Sequence, residues 1–162
     1  MGEQRMKLFV TDLDGTLVEY NNITDENLEG INRLNASGEL LAVATGRAYN
    51  SCTFLKEKYG VKVDYLILLN GGLIIDKDGK VVHHKEISYN TVKSIITDVK
   101  SDDSVISVET GYTSYVVHGR YKEDIDWNGL EYENLENIKD KNLSLISLYY
   151  PESDIEEVEK IC

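Results

Sequence analysis

Three short apolar runs, each ended by a polar loop carrying glycine, constrain this chain more than any other feature. Lys7 to Val10 (KLFV) runs into TDLDGT, Leu40 to Ala44 (LLAVA) into TGR, and Tyr65 to Leu69 (YLILL) into NGG. Runs of this length bounded by turn residues read as buried strands. Between them lie helical patterns. Thr24 suits the N-cap of a helix that carries Leu28, Ile31 and Leu34 on one face and closes at Gly38. Arg47 opens a second helix that ends near Gly60. Strands alternating with helices predict a parallel sheet covered on both faces. Right-handed crossovers put the three strand C-termini on one edge, the edge where open α/β sheets bind ligands. The loops TDLDGT, TGR and NGG are therefore expected to converge.

After Gly72 the pattern changes. LIID and KVVHH read as a hairpin around Asp78-Gly79. Ser88 suits the cap of a helix to about Lys100 that buries Val92, Ile95, Ile96 and Val99. VISVE and SYVVH read as a second hairpin across Thr110-Gly111-Tyr112, and Asn142 to Tyr150 (NLSLISLYY) as a further strand. Pro151 suits the first turn of a last helix, and the segment around Trp127 reads as a long irregular loop. The predicted organisation is a core over residues 1–83 and an α+β module over 84–162, inserted after the third core strand.

At 162 residues the chain has room for one domain, or for one domain and part of another. Its net charge of −12 argues against a nucleic-acid partner, because phosphate backbones repel such a surface. No apolar run reaches the length of a membrane span or the core of a signal peptide. Cys52 and Cys162 lie far apart with no metal-like spacing, so both are expected as free thiols of a cytoplasmic protein.

The chemistry concentrates in Asp12-Leu13-Asp14-Gly15-Thr16. Two carboxylates two residues apart leave a strand end and enter a tight turn. One can attack a phosphoryl group, and the other can protonate the leaving group and later activate water. Two acids beside a phosphate need a cation, and magnesium suits hard oxygen ligands. Asp12 and Asp14 are thus the candidate catalytic and metal-binding residues. A solvated Asx turn accounts for Asp-x-Asp alone, but not for its place between an apolar strand and Gly-Thr. Thr45, Gly46 and Arg47 can bind an anionic oxygen with the help of free N–H groups at a helix start; a plain N-cap is the alternative for Thr45. Arg47 suits a bidentate contact to a substrate phosphate or carboxylate, or a pair with a surface acid. The Asn70 amide lines the same edge, or Asn70-Gly71-Gly72 is only a turn. Leu13 is counted with the phosphate-binding positions. His83 and His84 are adjacent, so a strand points them to opposite faces and they cannot share a metal.

LFVTDLDGTLV, ITDENLEGINRLNASG, AVATGR and YLILLNGGLIIDKDGKVV together resemble the haloacid dehalogenase-like phosphatases, in the Cof-type branch with a large cap after the third core strand. The resemblance covers roughly the first 80 residues. It implies a Rossmann-like three-layer core, Asp12 as nucleophile, Asp14 as acid/base and Thr45 as phosphate ligand. Mg²⁺ would sit on the Asp12 carboxylate and the Asp14 main-chain carbonyl, and the substrate would be a small phosphorylated metabolite. Two later motifs of that family, a lysine and an acidic Gly-Asp pattern, have no counterpart here: no Gly-Asp occurs in the chain. The core is therefore expected to be incomplete, with an open sheet edge and exposed apolar faces, and inactive alone unless a C-terminal segment or second chain completes it. The alternatives are a non-catalytic interaction module and a phosphomutase-like transferase.

Overall fold

The computed structural model describes residues 6–121 and 129–150. The expected helix after Pro151, the segment at Trp127 and Cys162 lie outside the described residues. Two compact units form: Met1–Arg47 with Cys52–His84, and Ala48–Ser51 with Lys85–Cys162.

The first unit is a sheet with the described order β1-β4-β5-β6-β7. Strand β1 (Leu8–Asp12) leads into a two-strand hairpin, β2 (Val18–Glu19) and β3 (Asn22–Ile23), then helix α1 (Asp25–Ala36) and β4 (Leu40–Ala44). After a 3₁₀ turn at Tyr49–Cys52 come α2 (Phe54–Glu57), β5 (Tyr65–Leu68), a 3₁₀ turn at Leu69–Gly71, β6 (Leu73–Asp76) and β7 (Val81–His84). β1, β4 and β5 run parallel; β6 and β7 extend the same sheet antiparallel. Helix α1 starts as its residues predict. The Thr24 side chain accepts the Asn27 N–H at 3.2 Å, Asp25 and Glu26 sit in the first turn, and Ile31 is buried.

Two expectations need correction. KLFV is a strand, but not a buried one: Leu8, Phe9 and Val10 are 52%, 55% and 51% exposed. β1 is an edge of the described sheet, and apolar residues on both of its faces lack cover from the described residues. The buried strand of the unit is β4, whose Leu41, Ala42 and Val43 are almost wholly covered. Second, Arg47 does not open a helix. The chain bends at residues 46–47, turns once as 3₁₀, and α2 spans only Phe54–Glu57. Four helical residues cannot carry a helix dipole of note, so no helix N-terminus stands beside Thr45 to assist in anion binding.

The second unit comprises α3 (Tyr89–Val99), β8 (Val105–Glu109), β9 (Ser114–His118), β10 (Leu130–Tyr132), a 3₁₀ turn at Leu135–Ile138 and β11 (Leu145–Tyr149). Its sheet order is β10-β9-β8-β11, with β8 antiparallel to both neighbours and β10 parallel to β9. The last strand starts at Leu145, later than the expected Asn142, because Leu143 and Ser144 serve other contacts. The Leu143 carbonyl accepts the Ile87 N–H at 2.7 Å, and the Ser144 N–H donates to the Glu109 carbonyl at 2.8 Å. Ser88 caps α3 by accepting the Thr91 N–H. Val92 and Ile96 of that helix pack on Ile106, Val108, Tyr115, Ile138 and Leu143. Residues of β8 that point the other way include Glu109, 5% exposed. Its Oε1 accepts from the hydroxyls of Ser107 at 2.8 Å and Ser147 at 3.1 Å, while Oε2 has no partner. Burial raises its carboxyl pKa, opposed by the two serine hydrogen bonds.

Candidate active site at the edge of the first sheet

Register builds the site. Asp12 lies beside Ala44 across β1 and β4, and Ala44 lies beside Ile67 across β4 and β5. The three strands therefore end level, and the loops after them meet. Backbone hydrogen bonds join them: Leu13 N–H to the Ala44 carbonyl at 3.2 Å, Thr45 N–H to Ile67 at 2.9 Å, Asn70 N–H to Thr45 at 3.1 Å and Leu69 N–H to Arg47 at 3.2 Å.

Side chains complete the convergence. Arg47 forks onto Asp14, with Nε 3.0 Å from Oδ2 and Nη2 2.5 Å from Oδ1. Such bidentate, charge-assisted pairs fix orientation as well as adding energy. Thr45 Oγ1 lies 3.5 Å from Asp14 Oδ2, the outer limit of a hydrogen bond, and accepts the Arg47 N–H at 3.2 Å. A Cβ on Gly46 would lie 3.2 Å from the Asn70 Oδ1, so this glycine permits the close approach of TGR and NGG. Asn70 adopts φ 54°, a left-handed conformation that asparagine tolerates better than most residues. Asp12 is exposed at the end of β1, while Thr45 is buried.

Asp14, Thr45 and Arg47 thus share one cluster, Gly46 and Asn70 touch beside it, and Asp12 stands at the neighbouring strand end. Leu13 is the exception. Its side chain is fully buried and its N–H is committed to Ala44, so in this arrangement it offers no donor to a phosphate. Arg47 pairs with an acid of this chain, Asp14, which was the alternative to a substrate phosphate or carboxylate.

One residue of this cluster was missed by sequence reasoning. Asn21 sits in the two-residue loop of the β2–β3 hairpin, where Tyr20 and Asn21 both have positive φ, 48° and 62°. That is the type I′ geometry favoured between short antiparallel strands. Its Oδ1 accepts from Arg47 Nη1 at 2.6 Å. Asparagine in a two-residue gap was the available signal, but strands of two residues each leave no alternation to read.

The Asp12 and Asp14 oxygens are hard donors, as magnesium requires. No cluster of three or more His, Cys, Asp or Glu suited to a metal occurs among the described residues. Two carboxylates are oxygen donors of the kind magnesium takes from a protein, which usually supplies it only one or two.

The sequence profile of the haloacid dehalogenase-like hydrolases matches residues 9–162. The chain belongs to that family. Within the haloacid dehalogenase-like hydrolases, phosphatase YwpJ of Bacillus subtilis (strain 168) is 31% identical over 123 residues, which cover 75% of this chain and 43% of the relative. The chain thus spans less than half the length of that relative. A solved haloacid dehalogenase-like hydrolase from Bacteroides thetaiotaomicron superposes with a TM-score of 0.78 at 18% identity, over 97% of this chain and 63% of that one. One from B. subtilis gives 0.74 at 23% identity, over 96% and 66%. The subclass IIB sugar phosphatase BT4131 gives 0.72 at 21%, over 96% and 63%. At these identities the structures speak for the shared fold. No helix of the described residues is long and apolar enough to cross a membrane.

Proposed function

We propose that this chain supplies the nucleophile side of a magnesium-dependent phosphohydrolase acting on small phosphorylated metabolites. The observation that carries the reading is the level ending of β1, β4 and β5, which gathers Asp14, Thr45 and Arg47 beside exposed Asp12. The family membership and the similarity to YwpJ support it.

In this reading an Asp12 carboxylate oxygen attacks phosphorus, and the bond to the leaving oxygen breaks. Asp14 gives that oxygen a proton and later takes one from the water that cleaves the aspartyl-phosphate, releasing phosphate. Thr45 binds a phosphoryl oxygen, and Asn70 lines the same edge. The Asp12 carboxylate and the Asp14 carbonyl would hold Mg²⁺, which supplies charge to offset the phosphate. We further propose that activity requires core strands and charged groups from a longer form or a second chain; the uncovered β1 supports this. The second unit would act as the cap.

Release of phosphate from p-nitrophenyl phosphate with Mg²⁺, assayed on the longest product of the gene, tests the reading. Asp12→Asn should lower the rate by at least about a thousandfold, since it removes the nucleophile. Activity surviving that change sinks the proposal.

A further inference from the structure

We propose that Glu109 is a specificity-determining residue that binds an ammonium group on the organic part of the substrate. The inference rests on the phosphohydrolase reading and on the cap role given there to the second unit. Ile106 and Val108 of β8 pack toward α3, so Ser107 and Glu109 point to the opposite face of the sheet. Register adds to that face Ser147 and Tyr149 of β11, which lie beside Ser107 and Val105. It also adds Tyr132 of β10, which lies beside Val116 and so in the row of Ser107.

The carboxylate on this face is incompletely matched. Oε1 accepts from Ser107 and Ser147, while Oε2 has no partner although the residue is buried. A buried charge without a partner costs stability. A cationic N–H donor meets both needs of Oε2: it fills a vacant lone pair and offsets the charge, which a neutral hydroxyl does not. Aromatic rings stand beside the acid. The Tyr121 ring centroid lies 6.1 Å from that of Tyr149. Burial raises the Tyr121 pKa, a hydrogen bond with Ser107 lowers it, and the charges of Glu109, Tyr132 and Tyr149 raise it, which puts its hydroxyl near them. A carboxylate among tyrosine rings suits an organic ammonium, through ion pairing and cation–π attraction. The Tyr132 ring already carries a cation, with the Arg120 guanidinium carbon 5.6 Å from its centroid, so Tyr121 and Tyr149 are the rings that would serve a ligand. The net charge of −12 favours a cationic group as well. Oε2 is out of contact with solvent, so binding displaces a covering side chain, and Tyr121 is placed to be that one.

Two measurements test this. On the longest product of the gene, kcat/KM with Mg²⁺ is compared for O-phosphoethanolamine, glycerol 3-phosphate and p-nitrophenyl phosphate. Wild type should favour O-phosphoethanolamine over glycerol 3-phosphate. Glu109→Gln should lower kcat/KM for O-phosphoethanolamine at least about thirtyfold, the cost of removing one member of a buried charge pair, and change that for p-nitrophenyl phosphate by less than about twofold. On the 162-residue chain, ¹H–¹⁵N spectra should shift saturably with ethanolamine and not with ethylene glycol at equal ionic strength, and Glu109→Gln should abolish the shifts. Circular-dichroism melts check that the variant is folded, so that lost binding is not lost structure. Absence of any preference for the amine, or equal losses on all substrates, overturns the proposal. Ethanolamine binding that survives Glu109→Gln, or that ethylene glycol matches, overturns it too. A wild type that hydrolyses none of the substrates overturns the proposed function instead, and the titration then decides the ammonium site.

Discussion

Replacing Glu109 with glutamine should stabilise the second unit at alkaline pH and do little at acid pH. Glu109 is 5% exposed, and of its two carboxylate oxygens only Oε1 is paired. A buried polar atom without a partner costs about 1–3 kcal/mol, more when the group is charged. Glutamine keeps Oε1 for the hydroxyls of Ser107 and Ser147 and puts a neutral NH₂ in place of Oε2. The amide end is still unpaired, so the gain is only the difference between an unpaired charged and an unpaired neutral group, about 1 kcal/mol. The sign with pH follows from the raised carboxyl pKa of the folded state. The folded chain holds the proton to higher pH than the unfolded chain, so wild-type stability is full below the ordinary glutamate range near pH ~4.3 and falls as pH rises through the folded value. Glu109→Gln removes that slope. Urea melts followed by circular dichroism at about pH 4 and pH 8 should show curves that nearly coincide at the lower pH and separate at the higher, with the midpoint of the variant above that of the wild type. In thermal melts the difference should be about 2–4 °C. A variant less stable than wild type at pH 8, or a difference that does not change with pH, would refute the account of Glu109 as a strained buried acid.

Two further outcomes follow from burial and backbone geometry. Cys52 is buried and its thiol pKa is pushed up to about 12, mainly by desolvation. In a Cys162→Ser background Ellman's reagent at pH 8 should therefore modify it only as fast as the first unit opens; reaction at the rate of a free thiol counts against this. Gly119 has φ 69°, and a Cβ there would lie 2.2 Å from the Ser104 carbonyl oxygen. Gly119→Ala should cost more than about 2 kcal/mol in urea melts, since the left-handed penalty adds to a backbone clash; a loss below about 0.5 kcal/mol contradicts the geometry.

Much of the site was legible because its elements announce themselves locally. Strand-ending loops rich in Asp, Thr and Gly mark where a parallel sheet presents ligands, and three level strand ends bring TDLDGT, TGR and NGG together. Thr24 and Ser88 were readable as caps because an N-cap needs only its own hydroxyl and an N–H three residues on. The stretch after Arg47 misled. It reads as a helix from Arg47 to near Gly60, yet the chain bends at residues 46–47 and only Phe54–Glu57 form an α-helix. β1 misled in a different way. Apolar composition says that a strand should be covered, and only the sheet order shows that nothing described covers this one.

From its sequence alone the chain determined strand and helix alternation, two capped helices, the shared edge and the acids on it, since each depends on residue type and near neighbours. The tertiary structure alone decided that Arg47 grips Asp14, that Asn21 holds Arg47, that Leu13 spends its N–H on Ala44, and that Glu109 is buried with one oxygen unpaired. Those are contacts between residues far apart in the chain or set by the sheet register. Local propensity carries no record of which distant group will stand within 3 Å, because that is fixed only when the whole sheet is assembled.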